Sequence, residues 1–473
     1  MTVTLRASKQ GLAIVDQARK EKGWTATAQI WCDTAQTSVG TLKRFRMRKA
    51  ILEDAFKSIC DAVGQNWEEI ADRRPVETVE LEIDFFSYDE GWIGRDDAVA
   101  LLKNKIEESC RVLILVGITG IGKTALAERV AVELQETWLQ GNWGNFHQEN
   151  FDDEANSHDF GSVAARWLEK WGEVITSDDR KDTQRLMYRL LRHLKENRRL
   201  VLMDSLEKIL QGNEEEGWSD FKDEWWVKFF KNLFSSDACL SRMILTSQDL
   251  PRQVEDAGTR YRNFWHVEPL MGLDEKERLS LFEKTGLELE EGSENRNYLE
   301  RIGKAYEGHP LALRTIAGEI GSRPFYGNVA AYWGKFGMEI EEVEKAILEA
   351  EEKGITKGAG DRWQLDRYTR PLRRNVRSRL ETTFDRLKDD VKSAYLLLCE
   401  GSVYRCAVPD RWWLFHLEDW DYEEDDRIKA LETLRDRFLV EEVIKDNECQ
   451  LRQHNLIRSV ALERLKRLDD EDE

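Results

Sequence analysis

The sequence of 473 residues lacks the usual marks of disulfide-bonded, zinc-binding and membrane-spanning proteins. Its seven cysteines are scattered and odd in number, without a C-x-x-C pair, which argues against a disulfide framework and a structural zinc site. Its seven histidines are equally dispersed and form no H-E-x-x-H motif, which argues against catalysis by a metal held on protein ligands alone. The longest apolar runs, at 112–116 and 200–203, are far shorter than the ~20 residues of a membrane helix.

The start of the chain also lacks the charged-then-apolar pattern of a secretory signal peptide, so we expect a cytoplasmic protein with no membrane partner. Hydrophobic residues make up 41% of the sequence, which is enough for packed cores and excludes a wholly disordered chain. The formal net charge is −20, yet residues 1–75 carry 13 basic and 9 acidic side chains. The charge argues against nucleic-acid binding over the whole surface, and its asymmetry indicates a separate role for the N-terminal segment.

Three kinds of pattern follow one another along the chain. Residues 11–71 contain short amphipathic segments that break near glycines, which is typical of a small helical domain. From residue 111, apolar runs of strand length alternate with helical patterns, which predicts a parallel sheet covered on both faces. After about residue 272 the patterns are helical, with a hairpin predicted near 438–452. The parallel strands are expected at 111–116, 199–203, 242–246 and, more weakly, 264–267.

A phosphate-binding motif, G-x-x-x-x-G-K-[ST], occupies residues 117–124. An apolar run precedes it and a helical pattern follows it, which is the context that this motif requires. Glycines allow the backbone to wrap around phosphate oxygens, and the positive end of the following helix adds attraction for the anion. The candidate nucleotide-binding residues of this segment are Gly117, Gly120, Gly122, Lys123, Thr124 and Ala125.

Lys123 and Asp204 are the candidate catalytic residues. Lys123 is expected to bridge the β- and γ-phosphates, and the hydroxyl of Thr124 to bind Mg²⁺. Asp204 ends the apolar run 200–203 and supplies the acid that an Mg²⁺–nucleotide site needs at a neighbouring strand end, although a strand-end Asp can also serve only as a cap. Thr124 and Asp204 are therefore the candidate Mg²⁺ ligands.

The residue after Asp204 is Ser205, where many P-loop ATPases place a second acid that orients the attacking water. Glu207 lies two positions further on. It is either a substitute for that acid or a structural glutamate on the surface.

Several ordered motifs across residues 91–467 resemble those of the NB-ARC class of STAND ATPases, which are signalling switches of plant disease resistance, animal apoptosomes and many bacterial regulators. Residues 92–96 resemble the hhGRx segment, which implies that Ile93, Gly94 and Arg95 lie over the adenine. Residues 241–248 resemble the sensor 1 strand. Residues 308–313 resemble the GLPL motif and residues 453–456 the MHD motif. The resemblance implies that Pro310 packs on the base and that His454 contacts the β-phosphate of ADP.

This sequence departs from the family pattern at three positions. Gln248 stands where the family usually has an arginine that reads the γ-phosphate. Ser205 replaces the second acid, which implies slow hydrolysis. Asn455 replaces the aspartate of the MHD motif and loses its charge.

The expected fold is a multidomain α/β protein with a P-loop NTPase parallel sheet as its core. An N-terminal all-α, helix-turn-helix-like domain (1–76) and a linker (77–90) precede the NB-ARC nucleotide-binding domain (91–271). A helical ARC1 subdomain (272–365) and a winged-helix subdomain with an acidic tail (366–473) follow it.

The N-terminal segment resembles phage-repressor-type helix-turn-helix domains. Residues 37–46 match a turn and a recognition helix, in which Leu42 and Phe45 face the core at i, i+3 spacing. The side chains expected outside, within reach of DNA contacted through residues 37–49, are Thr41, Lys43, Arg44, Arg46 and Arg48. Protein–protein signalling and a structural cap are the alternative roles.

The resemblance implies a switch with ATP/ADP and Mg²⁺ as cofactors, slow ATPase activity, and protein partners or a homo-oligomer in the ATP state. The alternative is a DNA-binding transcription regulator controlled by the nucleotide. A third possibility is a nucleotide-locked structural adaptor without useful catalysis. Family members usually continue into sensor repeats, whereas this sequence ends soon after His454; the sensor is then another protein, the N-terminal domain or the nucleotide pool.

Overall fold

The computed structural model describes residues 4–24, 29–35, 37, 39–46, 48, 51–72, 92–152, 157–213, 218–248, 250–258, 261, 263–352, 366–404, 407–418, 420, 422–445 and 448–472. The expected linker at 77–90 lies outside these residues. The chain divides into two compact units. The first contains Met1–Leu81, Gly272–Thr356 and Pro371–Glu473, and the second contains Glu82–Met271 and Lys357–Arg370.

The N-terminal segment of the first unit is mostly helical. Its described elements are β1 (Thr4–Leu5), α1 (Lys9–Glu21), α2 (Gln29–Thr34), α3 (Val39–Arg46), β2 (Ile51–Leu52), α4 (Glu53–Ala62) and α5 (Trp67–Ile70). Leu42 and Phe45 are fully buried, as their spacing predicts. The sequence predicts helices alone, and the short antiparallel pair of β1 with β2 departs from that expectation.

The second unit contains a parallel sheet with helices around it. Its described elements are α6 (Asp96–Glu107), β3 (Val112–Val116), α7 (Lys123–Glu133), β4 (Phe146–Asn150), α8 (Phe160–Lys170), α9 (Ser177–Lys181), α10 (Thr183–Glu196), β5 (Leu200–Asp204), β6 (Leu210–Asn213), β7 (Trp218–Phe221), α11 (Glu224–Ser235), β8 (Arg242–Ser247), α12 (Arg252–Gly258) and β9 (Trp265–Pro269). Five of these strands form the parallel sheet in the order β4-β5-β8-β3-β9, and β6 and β7 form a separate hairpin.

The sheet follows from its apolar strands. Every residue of β3 and of β5 is buried, which is why both strands are continuous apolar runs instead of alternating ones. The four strands expected from such runs are present as β3, β5, β8 and β9. A cluster of aromatic and aliphatic side chains from α8, α10 and α11 packs beside the sheet and forms the core of this unit.

Strand β4 was not expected, because its sequence is mostly polar. The carboxylate of Glu149 accepts hydrogen bonds from Arg166 and, at 2.8 Å, from the indole of Trp167. Burial would raise the pKa of Glu149, but the nearby His147 and the hydrogen bonds from Arg166 and Trp167 outweigh it and lower the pKa to about 2. Polar contacts centred on the Glu149 carboxylate therefore take the place of an apolar run at this edge of the sheet.

The first unit continues after the sheet. Its helices are α13 (Glu275–Lys284), α14 (Glu294–Ala305), α15 (Pro310–Gly321) and α16 (Val329–Glu352). Helix α17 (Asp366–Asp390) belongs to this unit from Pro371 onwards. The remaining C-terminal elements are α18 (Lys392–Glu400), β10 (Val408–Pro409), α19 (Asp410–His416), α20 (Glu424–Asp436), β11 (Glu441–Lys445), β12 (Glu448–Arg452) and α21 (Asn455–Asp472). The expected hairpin is present as β11 and β12, and β10 pairs with β12.

The N-terminal helices contact the later parts of the first unit. Helix α3 packs against α20. Arg19 of α1 lies 3.2 Å from a carboxylate oxygen of Glu288 in the loop after α13. Of the helices in the described part of the chain, none is both long and apolar enough to cross a membrane.

Candidate nucleotide-binding site

The segment between β3 and α7 forms a tight loop at the carboxyl end of β3, which lies between β8 and β9 in the sheet. Gly120 has φ 82° and Gly122 has φ 97°, values that L-residues with a side chain rarely adopt. At Gly117 the constraint is space, because a Cβ there would lie 2.9 Å from the carbonyl oxygen of Leu270. Helix α7 begins at Lys123, so the positive end of its dipole faces the loop and favours an anion there.

Lys123 is buried and directed into the loop. Its Nζ donates hydrogen bonds to the carbonyl oxygens of Gly117 at 2.8 Å and Ile118 at 3.1 Å. The ammonium is therefore held inside the curve of the backbone that would surround phosphate oxygens. Ala125 follows in the first turn of the same helix.

Thr124 and Asp204 meet although 80 residues separate them in sequence. The Thr124 hydroxyl donates to Oδ1 of Asp204 at 2.8 Å, and the Thr246 hydroxyl of β8 donates to the same oxygen at 2.5 Å. Strand β8 lies between β3 and β5 in the sheet, which brings Thr246 beside Asp204. Thr246 is not among the predicted site residues; its signals in the sequence are its position near the end of an expected strand and its place in the segment that resembles sensor 1.

Asp204 is buried, and burial raises its pKa. The hydrogen bonds from Thr246 and Thr124 and the charge of Lys123 oppose this rise. A buried carboxylate beside a threonine hydroxyl offers the hard oxygen ligands that Mg²⁺ prefers, so these residues fit such an ion.

The residues after Asp204 form a sharp turn. Ser205 has φ 62° and begins a 3₁₀ turn over Leu206–Ile209. The backbone N–H of Ser205 donates to the Thr246 hydroxyl at 3.0 Å. The carboxylate of Glu207 accepts hydrogen bonds from the backbone N–H of Gln248 at 3.3 Å and from its side-chain amide at 3.0 Å.

The segment of Ile93, Gly94 and Arg95 precedes α6 and contacts the phosphate-binding loop. Nη2 of Arg95 donates to the carbonyl oxygens of Ile121 at 2.8 Å and Met271 at 2.9 Å. Arg95 therefore ties the loop to the chain that leaves β9. The position of this segment relative to an adenine stays a prediction.

Pro310 and His454 belong to the other compact unit. Pro310 is the first residue of α15, where a missing N–H is no loss, and His309 caps that helix. His454 precedes α21, and its Nδ1 accepts the backbone N–H of Leu456 at 3.2 Å. Their contacts with the base and the β-phosphate stay predictions.

A Gly122→Ala substitution is expected to weaken nucleotide binding by at least about fivefold. The new Cβ would lie 3.2 Å from Nη1 of Arg95 at a φ of +97°, so we expect the loop of the variant to relax out of this conformation when no nucleotide is bound. Returning to left-handed backbone on binding then costs roughly 1–2 kcal/mol. Titration with a fluorescent ADP analogue measures the affinity. Gly172→Ala is the matched control, because Gly172 has φ +87° with open space around it. Equal affinities of the two variants would contradict the role of Gly122.

No family model matches the chain. An uncharacterized WD repeat-containing protein of Nostoc sp. is 28% identical over 377 residues, which cover 70% of this chain. The match spans 29% of that relative's length.

Among solved structures, the Walker-type ATPase PABY2304 of Pyrococcus abyssi is similar with a TM-score of 0.36 and 13% identity, over 79% of this chain and 97% of that one. The ORC2 protein of Aeropyrum pernix in its ADPNP–ADP complexes has a TM-score of 0.33 and 13% identity, over 82% of this chain and 99% of that one. These scores describe a distant likeness. The class rests on the molecule itself: a parallel sheet in which an inner strand, β3, runs into a G-x-x-x-x-G-K-T loop and a helix is the core of a P-loop NTPase.

Proposed function

We propose that the chain is an ATP/ADP-controlled signal-transduction switch of the NB-ARC type, which hydrolyses ATP slowly and oligomerises or engages partners in its ATP state. The observation that carries the proposal is the contact of Thr124 with Asp204 at the start of α7. It joins a phosphate-binding loop to an acid at a nearby strand end, and these are the two halves of an Mg²⁺–nucleotide site. The order of the motifs along the sequence supports the narrower assignment.

In this proposal each residue of the loop has a defined task. The N–H groups at the start of α7 bind phosphate oxygens, and Lys123 exchanges its two carbonyl contacts for the β- and γ-phosphates. Thr124 and Asp204 hold the Mg²⁺ ion, which when bound neutralises phosphate charge. Arg95 keeps the loop in place through its contact with Ile121.

The switch requires contacts that differ between the two nucleotide states, because a ligand shifts an equilibrium only by its differential affinity. We propose that Pro310 contacts the base and that His454 contacts the β-phosphate of ADP, which stabilises a closed monomer. ATP then favours an open form that assembles or binds partners. The Nostoc relative contains WD repeats, and by analogy we propose that a repeat domain, on the same or another chain, senses the signal.

Nucleotide analysis combined with size measurement tests this proposal. We expect ADP to copurify with a monomer, and exchange into Mg²⁺–ATPγS to produce a larger species or a different shape in small-angle scattering. Protein stripped of nucleotide is the control for both measurements. Absence of any nucleotide affinity would refute the site. Tight binding with identical size and shape in ADP and ATPγS would refute the switch and favour the structural adaptor.

The DNA-binding alternative finds less support in the N-terminal helices. The side chain of Arg46, expected outside, is 17% exposed and lies 3.6 Å from Asp16. Arg48 donates from Nε to the carbonyl oxygen of Ala7 at 3.1 Å. Two of the cations assigned to DNA therefore make internal contacts, and the helix assigned to recognition packs against α20. For this reason we favour the signalling switch.

A further inference from the structure

Both carboxylate oxygens of Glu207 accept hydrogen bonds from one residue, Gln248. Gln248 donates twice, with its backbone N–H to one carboxylate oxygen of Glu207 and with its side-chain amide to the other. Both side chains are half-buried. Two donors from a single residue fix both the position and the rotation of the carboxylate, which a single hydrogen bond would not do.

The local backbone brings Glu207 back towards β8. Ser205 adopts φ 62° directly after β5, and the 3₁₀ turn that follows reverses the chain. The hydrogen bond from the Ser205 N–H to the Thr246 hydroxyl holds this turn against β8. Non-glycine residues rarely adopt such a φ, and strained backbone of this kind clusters at functional sites.

Glu207 lies at the same edge of the sheet as the candidate Mg²⁺–nucleotide site. Its turn directly follows Asp204, the last residue of β5, and its carboxylate accepts hydrogen bonds from Gln248, which directly follows β8. The phosphate-binding loop follows β3, which is the other neighbour of β8 in the same parallel sheet. Because parallel strands have their carboxyl ends at one edge, the loop, Asp204 and Glu207 lie at that edge, within the second unit.

We propose that Glu207 is the carboxylate that orients the attacking water. In this proposal Gln248 is a positioning residue, which holds the Glu207 carboxylate in its orientation and does not sense the γ-phosphate. This inference rests on the proposed ATPase function. It accounts for a chain that has serine directly after Asp204 and glutamine at the end of the sensor strand. The two departures from the family pattern, Ser205 and Gln248, offset each other. Glu207 takes the role of the acid that Ser205 replaces, and Gln248 holds Glu207 in place through two hydrogen bonds.

The chemical step balances without another reactant. The water oxygen forms a bond to the γ-phosphorus as the bond between that phosphorus and the β–γ bridging oxygen breaks, and ADP leaves with the electron pair. A proton of the water passes to Glu207 and then to solvent, so the products are ADP and inorganic phosphate. General-base assistance of this kind is worth roughly 10²–10⁴-fold in rate.

The first experiment separates hydrolysis from binding in the full chain. Glu207→Gln is expected to lower single-turnover hydrolysis at least 100-fold while the Kd for Mg²⁺–ATPγS changes less than about threefold. Gln248→Ala is expected to lower hydrolysis about tenfold and to leave the ratio of ATPγS to ADP affinity unchanged. The double variant should match Glu207→Gln alone, because the two residues act as one unit. Glu224→Gln and Gln184→Ala, on exposed faces of α11 and α10, are the matched controls.

The second readout does not depend on turnover. Hydrogen exchange of the Gln248 backbone N–H should accelerate in Glu207→Ala and remain slow when wild-type protein binds ATPγS. A selective loss of ATPγS affinity in Gln248→Ala would overturn the inference, because it would make Gln248 a γ-phosphate reader. Wild-type hydrolysis by Glu207→Gln would also overturn it while leaving the ATPase function intact. A wild-type chain that binds no nucleotide would instead overturn the proposed function, and the inference with it.

Discussion

Lys123→Ala is expected to lose most of the affinity for ATP and ADP and to hydrolyse ATP at least about 100-fold more slowly than wild type. A hydrogen bond to a charged group contributes about 1.5–3 kcal/mol, which corresponds to roughly a 10- to 150-fold change in Kd. Lys123 is buried, and its Nζ lies inside the loop beside the carbonyl oxygens of Gly117 and Ile118. Among the described residues, Lys123 is the lysine that donates hydrogen bonds to carbonyl oxygens of the loop.

The measurements are calorimetric titration with each nucleotide and phosphate release under single-turnover conditions. Lys231→Ala, at an exposed position of α11, controls for the loss of a lysine elsewhere in the same unit. Because the substitution also removes two hydrogen bonds from the loop, thermal unfolding of both variants should be compared. An unchanged Kd in a stably folded Lys123→Ala protein would contradict the assignment of the loop as a nucleotide site.

Of the variants described, Glu319→Ala is expected to lower the free energy of unfolding most, by about 3–5 kcal/mol. The substitution leaves two guanidinium groups without their buried carboxylate partner. Glu319 lies on α15, and Arg379 and Arg386 reach it from α17. The carboxylate contacts Nη2 of Arg379, Nη1 of Arg386 at 2.7 Å and the hydroxyl of Thr383 at 2.7 Å. The side chains of Glu319 and Arg379 are 4% and 1% exposed, so water cannot replace the lost anion.

Urea unfolding, together with hydrogen exchange in α15 and α17, measures this loss. Glu341→Ala is the matched control, since Glu341 is 54% exposed and pairs with Arg301 at 3.4 Å, and a surface pair contributes about 0–1 kcal/mol. Glu319→Gln keeps the shape and the acceptor but removes the charge, and should fall between the two. Equal stability of Glu319→Ala and Glu341→Ala would show that the pairs of Glu319 do not hold α15 to α17.

The pH dependence of the unfolding free energy provides a second test of the role of Glu319. Burial would raise the pKa of Glu319, but Arg379 and Arg386 outweigh it and lower the pKa from 4.5 to about 2. Because the folded state has the lower pKa, this carboxylate stabilises the fold fully above pH 4.5, and its contribution is lost as the pH falls towards 2. The difference in unfolding free energy between wild type and Glu319→Ala should therefore shrink across that interval.

The core of the second unit was predictable, since its signals are local. The runs that became β3, β5 and β8 are apolar because both faces of the sheet are covered. The glycines of the loop mark positions of positive φ or close backbone approach, which few other residues tolerate. Strand β4 was not predictable, because its polar Glu149 is buried only with the help of Arg166 and Trp167, which lie elsewhere in the chain.

The site divides in the same way. The sequence alone determined the phosphate-binding loop, the position of Lys123 in it and the strand that ends in Asp204. Each of these features depends on fewer than about ten contiguous residues with a fixed local geometry. Only the tertiary structure decided that the hydroxyls of Thr124 and Thr246 both donate to Asp204 and that Gln248 donates to Glu207. Those contacts depend on the order of strands in the sheet and on the turn at Ser205. They join residues about 40 to 80 positions apart, beyond the reach of any local pattern.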